Sequence, residues 1–417
     1  MATAPMSENE LVYDWNTQGD RSPPPMRAVE YHDETLRDGI QCPSVQDPSL
    51  DDKLRILRLL SKIGVHTADV GLPGAGERAI HDVTVMAEMV RDEKLSIQLT
   101  CAGRTHPRDI EPILEISAKT GVPIEVMAFL GTSPIRLYAE DWDEDLLEKR
   151  TRAAAKLTID AGQVFNFVTE DTVRSHPRLL GRLFRAALEE GAQRLTLCDT
   201  VGHATPDGVF NLVHFTKSIL RAGDFDAKLD WHGHNDRGHA VPNTLYAIEA
   251  GVDRVHGTIL GVGERVGNTS LDQVLVNLAL LGAHDGDLTP MAELVELVSQ
   301  ACGVPIPVSY PVFGKDAFRT GTGVHAAAIV KAMKRGDAYL ADRIYSGVPA
   351  SWFGLKQGIE VGHYSGMSNV HAWLVSRGLP VDELLSKQIF DAAKATNRLL
   401  EEEEIQAIVN AWQAAQI

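Results

Sequence analysis

Short apolar runs recur along this chain and alternate with stretches of helical periodicity. The runs fall at 28–32, 67–71, 96–101, 124–129, 164–168, 194–198, 229–232 and 255–258. Each is four to six residues long and is followed by a longer amphipathic stretch, the pattern of parallel strands joined by crossover helices. The first such helix is well marked. Ser49 stands at its start, Asp52 lies in its first turn, Leu50, Leu54 and Leu57 form a stripe, and Gly64 ends it. Eight strand–helix units predict an α/β fold, a (β/α)8 TIM barrel over residues 27–290. An open doubly wound sheet competes, but the count of eight and the polar motifs after many different strands favour closure. Barrel active sites lie at the C-terminal strand ends, so residues far apart in sequence can face one cavity.

Past residue 290 the eightfold rhythm stops. Helical patterns at 291–301, 381–399 and 401–415, with a loop-rich joint at 347–362, predict a mostly helical C-terminal appendage over 291–417. Residues 1–26 are polar, end in Pro23-Pro24-Pro25, and read as a loosely docked arm. They lack the basic start and apolar stretch of a signal peptide.

Composition narrows the function classes. An apolar fraction of 44% with 23% charged residues fits a soluble globular protein, and no apolar run is long enough to span a membrane. A formal charge of −17 argues against nucleic-acid binding. Cys42, Cys101, Cys198 and Cys302 are scattered without a CxxC pair, as expected of reduced thiols in a cytoplasmic protein.

The chemistry-bearing residues gather at predicted strand ends. Trp231-His232-Gly233-His234-Asn235-Asp236 ends the seventh strand, and positions 232 and 234 project to the same side. A lone histidine there is usually an ordinary core or surface residue; two at this spacing point to a divalent cation. Asp33-Glu34-Thr35-Leu36-Arg37-Asp38-Gly39 follows the first strand and offers Asp38 as a ligand and Arg37 as an oxyanion partner. Taken alone, this turn suits a structural ion pair equally well, and Asp33 and Glu34 equally suit supporting or helix-capping roles. Gly261-Val262-Gly263-Glu264-Arg265-Val266-Gly267-Asn268 follows the eighth strand, where barrels often hold phosphates. It lacks the Gly-Lys-Ser/Thr ending of a Walker A loop, and in isolation it reads as a plain turn.

Taken together, four motifs resemble one family. Arg37-Asp38-Gly39-x-Gln41, Asp199-Thr200-Val201-Gly202, His232-x-His234-Asn235-Asp236-x-Gly238-x-Ala240-x-x-Asn243 and Gly263-Glu264-Arg265-x-Gly267-Asn268 occur in that order. They are similar to those of the 2-isopropylmalate, homocitrate and citramalate synthases, with further echoes at Thr322-Gly323-Val324-His325 and Ser365-Gly366-Met367. The resemblance implies a Claisen condensation of acetyl-CoA with a 2-oxo acid, then thioester hydrolysis to a 2-hydroxy dicarboxylic acid. It implies metal ligands Asp38, His232, His234 and Asn268 for zinc, magnesium or manganese. It implies catalytic roles for Arg37, Glu170, His325 and Tyr345. Gln41, Arg136 and Thr200 would bind substrate, and Gly261, Gly263, Glu264, Arg265 and Gly267 would hold CoA. His325 would enter a neighbouring subunit's site, which implies a homodimer. Loss of Arg37 would lower turnover while sparing the fold.

Some positions depart from the family pattern. Arg136 stands where a histidine is usual in Thr-Ser-x-x-His, and would favour an acidic 2-oxo acid if it touched substrate. Ala68-Asp69-Val70-Gly71-Leu72-Pro73 replaces Ile-Glu-x-Gly-Phe-Pro. Nothing past the helical appendage is long enough for a leucine-sensing domain, so that mode of feedback is expected to be absent. The alternative reading within the same fold is a metal-dependent acyl-CoA lyase or aldolase of the hydroxymethylglutaryl-CoA lyase kind.

Overall fold

All eight expected strands form and close into a barrel. In this computed structural model, which describes residues 8–17 and 28–416, the strands are β1 Glu30–Asp33, β2 Thr67–Asp69, β3 Gln98–Arg104, β4 Ile124–Gly131, β5 Phe165–Glu170, β6 Arg194–Asp199, β7 Lys228–Gly233 and β8 Arg254–Gly257. They pair in parallel in sequence order, and β8 returns to β1 with Glu30 opposite Arg254 and Asp33 opposite Gly257. The fold is the (β/α)8 barrel the periodicity predicts. Six of the strands run one to three residues past the apolar runs, while β2 and β8 stop two and one residues short, because backbone pairing and not side-chain polarity sets where a strand ends. The N-terminal arm expected over 1–26 lies largely outside the described residues; within it Glu8–Leu11 and Trp15–Thr17 are short helical turns.

Local chemistry marks the strand-to-helix junctions. Ser49 Oγ accepts the Asp52 N–H at 3.2 Å, and Gly64 turns the chain out of helix Leu50–Lys62 at φ 84°. Four of the helices that follow strands open on proline, at Pro107, Pro134, Pro177 and Pro206. A first-turn proline loses no hydrogen bond there and arrives with helical φ preset.

The barrel interior contains a buried polar plug. Arg254 is fully buried and donates to Asp230 of β7 at 2.6 and 3.0 Å and to Glu125 of β4 at 3.0 Å. Asn166 of β5 donates to both carboxylates at 2.9 Å, and Arg194 of β6 donates to Asp230 at 2.7 Å. Charges so far from water persist only when each is paired. His256 of β8 connects this plug upward, with its ring nitrogens 3.3 Å from Asp230 and 3.2 Å from Glu34.

The chain divides into two compact units, residues 1–286 with 297–304, and residues 287–296 with 305–417. The second is mostly helical, with a two-stranded parallel sheet pairing Arg319–Thr320 with Gly358–Ile359. Its core is built by Val370, Trp373 and Leu374 of helix Met367–Ser376, Leu385 and Ile389 of helix Glu383–Lys394, and Ile405 and Val409 of helix Glu402–Ala414. Among the described residues no helix is long and apolar enough to cross a membrane. All four cysteines are free thiols.

Candidate active site

At the C-terminal strand ends of the barrel, β1 and β7 bring Asp38, His232 and His234 together. Asp38 Oδ2 lies 3.5 Å from His234 Nε2 and 4.0 Å from His232 Nε2. The three ligand atoms all fall within 4.8 Å of one another, and all three side chains are buried. The period of two along β7 turns both imidazoles to one side, and the Glu34–Gly39 turn carries Asp38 to meet them. The Glu34 carbonyl accepts two backbone bonds that close that turn, from Arg37 N–H at 3.1 Å and Gly39 N–H at 2.9 Å. A side chain at Gly39 would strike the Thr35 carbonyl.

The donor set fits a divalent cation. His232 donates Nδ1–H to Glu34 Oε2 at 2.7 Å, so its Nε2 is left as a lone-pair donor facing Asp38. A carboxylate behind a ligating histidine fixes tautomer and ring orientation in just this way. Burial pushes His234 down to about 4, leaving it neutral and able to ligate near pH 7. Burial works against ionisation of Asp38, but Arg37 and the imidazoles outweigh it and hold the carboxyl below its usual range. Oxygen and imidazole donors suit zinc, magnesium or manganese. Asn268 donates Nδ2–H to Asp38 Oδ2 at 2.7 Å, while its Oδ1 is buried without a partner among the described residues. In this arrangement Asn268 orients the carboxylate; a half-turn of the carboxamide would present Oδ1 instead.

Arg37 is the electrostatic centre of the site. Its guanidinium donates to Asp69 at 2.6 Å, Asp38 at 2.6 Å and Glu34 at 2.9 Å. Three of its five N–H groups are thereby engaged, which leaves two for a ligand oxygen. Burial raises Glu34, but His232, His256 and Arg37 overcome it and hold its carboxyl well below the usual carboxylate range. Burial pushes Asp69 up to about 6 despite the same arginine.

A cavity of about 270 Å³ opens onto these groups. Gln41, Glu170, Thr200 and Glu264 also line it. Burial raises Glu170 above an ordinary glutamate, Arg136 pulls it back, and Asp171, Glu140 and Glu264 push it further up. Thr200 Oγ accepts the Asp171 N–H at 2.8 Å, so its own proton is free to be donated. The Asp199-Thr200-Val201-Gly202 turn is locked by Asp199, whose carboxylate accepts from His203 N at 2.7 Å and Ala204 N at 3.1 Å. Gly202, at φ 57°, packs where a side chain would strike Asp236 and the His234 carbonyl.

The remaining sequence candidates lie elsewhere or act differently. Arg136 is absent from the lining of this cavity; its stem lies across Gly131 at the end of β4, and it faces Glu140 at 3.1 Å and Glu170 at 3.6 Å. It lines a neighbouring cavity with Arg104, Arg108, Trp142 and Arg150. In the 261–267 loop, Gly263 adopts φ 153° where a side chain would meet the Asn268 carboxamide, and Gly267 lies against the Gly261 carbonyl. Arg265 bonds Asp236 at 2.8 Å and the Thr200 carbonyl at 2.6 Å. The glycines thus let Asn268 reach Asp38. In the second unit, the rings of His325 and Tyr345 stack with centroids 4.1 Å apart. Sequence reasoning left Glu34 undecided and passed over Asp230, Arg254 and His256. Their signal was the inward period of two, Asp230-x-His232 and Arg254-x-His256, inside strands that ordinarily carry aliphatic residues there. A second histidine–carboxylate group, His32, Glu34 and His256, sits below the site. Both His256 nitrogens face carboxylates, so that ring directs no free lone pair at a cation.

Comparison with known proteins places this geometry. Residues 28–298 match the HMGL-like family model. The chain is 31% identical to a homocitrate synthase of Methanopyrus kandleri, over 88% of this chain and 87% of that one. It is 27% identical to a 2-isopropylmalate synthase of Sulfolobus acidocaldarius, over 89% and 93%. Among solved structures, the hydroxymethylglutaryl-CoA lyase of Pseudomonas aeruginosa shares the fold with a TM-score of 0.54 at 18% identity, over 66% of this chain and 93% of that one. With the family model covering the whole barrel and these relatives extending beyond it, the chain belongs to the HMGL-like family.

Proposed function

We propose that the protein condenses acetyl-CoA with a 2-oxo acid and hydrolyses the resulting thioester, releasing CoA and a 2-hydroxy dicarboxylic acid of the alkylmalate or homocitrate type. The observation that carries this reading is the meeting of Asp38, His232 and His234 with Arg37 and Glu170 around one cavity. A divalent ion held by Asp38, His232 and His234, with Asn268 beside them, would polarise the keto group as a Lewis acid.

The chain's own groups divide the remaining work. Thr200 donates its free hydroxyl proton to the carboxylate of the 2-oxo acid, and Gln41 borders the same substrate. Glu170, its proton affinity raised by burial, removes a proton from the acetyl methyl group. The two uncommitted N–H groups of Arg37 receive the negative charge that develops on the keto oxygen as the carbon–carbon bond forms. Water then cleaves the thioester. The loop bearing Gly261, Gly263, Glu264, Arg265 and Gly267 borders the thioester's path, with Glu264 on the cavity wall. The reading includes a homodimer in which the stacked His325 and Tyr345 of each copy serve the other copy's site.

A thiol-reagent assay with acetyl-CoA and a panel of 2-oxo acids tests it. Thiol release that requires a 2-oxo acid is the expected result. Cleavage of a hydroxyacyl-CoA, with no 2-oxo acid needed, would replace this reading with the lyase. A fully active monomer in sedimentation would remove the shared-site part.

A further inference from the structure

We propose that the 2-oxo acid accepted by this cavity carries an uncharged aliphatic substituent, and that a second carboxylate is rejected. This rests on the condensation reading above and names the class of its substrate. The cavity floor is apolar apart from Thr196 on β6, whose hydroxyl is committed to Asn166 at 2.9 Å. It is made by Leu72 after β2, Ala102 on β3, Met127 and Phe129 on β4, Val168 on β5 and Cys198 on β6. Ala102, Met127 and Cys198 are buried within their strands. Burial also holds the Cys198 thiol well above its ordinary range, so it is a small neutral wall atom. The groups that handle thioester chemistry, Glu170 and Glu264, stand at the strand ends and loop above this floor.

No cation waits for a distal carboxylate. Among the described residues Arg37 is the sole lysine or arginine on the cavity wall, and three carboxylates already surround it. The imidazoles of His232 and His234 face Asp38. Arg136, the residue whose charge would suit an acidic substrate, is held over Gly131 by Glu140 and Glu170 and lines an adjoining cavity, which shares Phe129 and Glu170 with this one but leaves the guanidinium off its wall. A second carboxylate in the cavity would therefore meet aliphatic carbon and the negative groups Glu34, Asp38, Glu170 and Glu264. An unpaired buried carboxylate is strongly disfavoured, whereas each buried methylene is favourable.

Two measurements on the metal-loaded protein test this. In the thiol-release assay, 2-oxobutyrate and 2-oxoisovalerate are compared with oxaloacetate and 2-oxoglutarate. The better aliphatic acid is expected to exceed both acidic ones in kcat/KM by about a hundredfold or more. In calorimetric titrations without acetyl-CoA, 2-oxobutyrate is expected to bind and 2-oxoglutarate to bind at least tenfold more weakly. Met127→Lys, if it folds, should narrow the gap by placing a cation on the floor; Val168→Lys offers the same test from a second strand. Comparable turnover or binding of an acidic 2-oxo acid by the wild type would overturn the proposal and leave the condensation reading standing. If no 2-oxo acid supports thiol release, yet calorimetry still ranks aliphatic above acidic acids, the condensation reading fails while the floor's preference survives.

Discussion

Replacing Arg136 by methionine should move the acidic limb of the pH–rate profile upward. Methionine keeps an unbranched stem over Gly131 and removes the charge beside Glu170. In the proposed mechanism Glu170 works as a base only when ionised, so the rate is expected to fall as pH drops through its pKa. Burial already lifts that pKa, and Arg136 is the largest influence pulling it down. Without the guanidinium the carboxylate is less stable, its pKa rises, and the limb moves to higher pH. At a separation of 3.6 Å a unit charge pair is worth about 1 kcal/mol in a water-like dielectric and about 5 kcal/mol at an effective dielectric of 20. With side-chain exposures of 42% for Arg136 and 32% for Glu170, solvent screening selects the lower end. About 1 kcal/mol corresponds to a shift of roughly 0.7 pH unit. Glu140, released from Arg136, adds its charge in the same direction. The assay is kcat/KM for thiol release between pH 5 and 9 at saturating metal, which reports the free enzyme's base. Glu170→Gln serves as a control and should abolish the limb. A limb that stays in place or moves downward in the Arg136 variant would show that Glu170 is not the titrating base or that Arg136 does not govern it.

Arg37→Gln should lower turnover by about 10²–10³. It should also destabilise the metal-free protein by roughly 3–5 kcal/mol in urea unfolding, because Glu34, Asp38 and Asp69 lose their shared cation in a buried site. This departs from the sequence expectation that the fold would be spared; an unchanged unfolding midpoint would restore it. Gly263→Ala should leave circular dichroism intact yet weaken metal binding, since its methyl group would press on the Asn268 carboxamide that orients Asp38; calorimetry with zinc or manganese reads the change. Adding a divalent ion at about a hundred times its dissociation constant should stabilise the wild type by about 2.7 kcal/mol and raise Tm. Asp38→Ala should lose that rise, and a rise that persists would place the cation elsewhere.

The barrel was legible from the chain because strand and helix periods are local properties. Alternation along 229–232, the capping Ser49 and the terminating Gly64 each act within a few residues. The convergence of Asp38, His232 and His234 was legible for a related reason. A spacing of two turns His232 and His234 to one side of β7, and barrel closure brings the turn after β1 across β8 to meet them. Arg37 was read from its place beside Asp38 and Thr200 from motif resemblance, and the structure adds which of their hydrogen-bonding groups are already committed.

What periodicity could not supply was the set of neighbours across the barrel. Glu34 was undecided as a sequence position; barrel closure makes it the carboxylate that joins His232, His256 and Arg37. Asp230 and Arg254 sit in segments that read as ordinary strands, and their pairing depends on strand register around the whole ring. Arg136 carries the same charge wherever it stands, but the bare backbone at Gly131 and the carboxylates of Glu140 and Glu170 decide where that charge is directed. Side-chain identity and local period are written one residue at a time, whereas electrostatic partnership and burial arise only when distant segments are packed to within a few ångströms of each other.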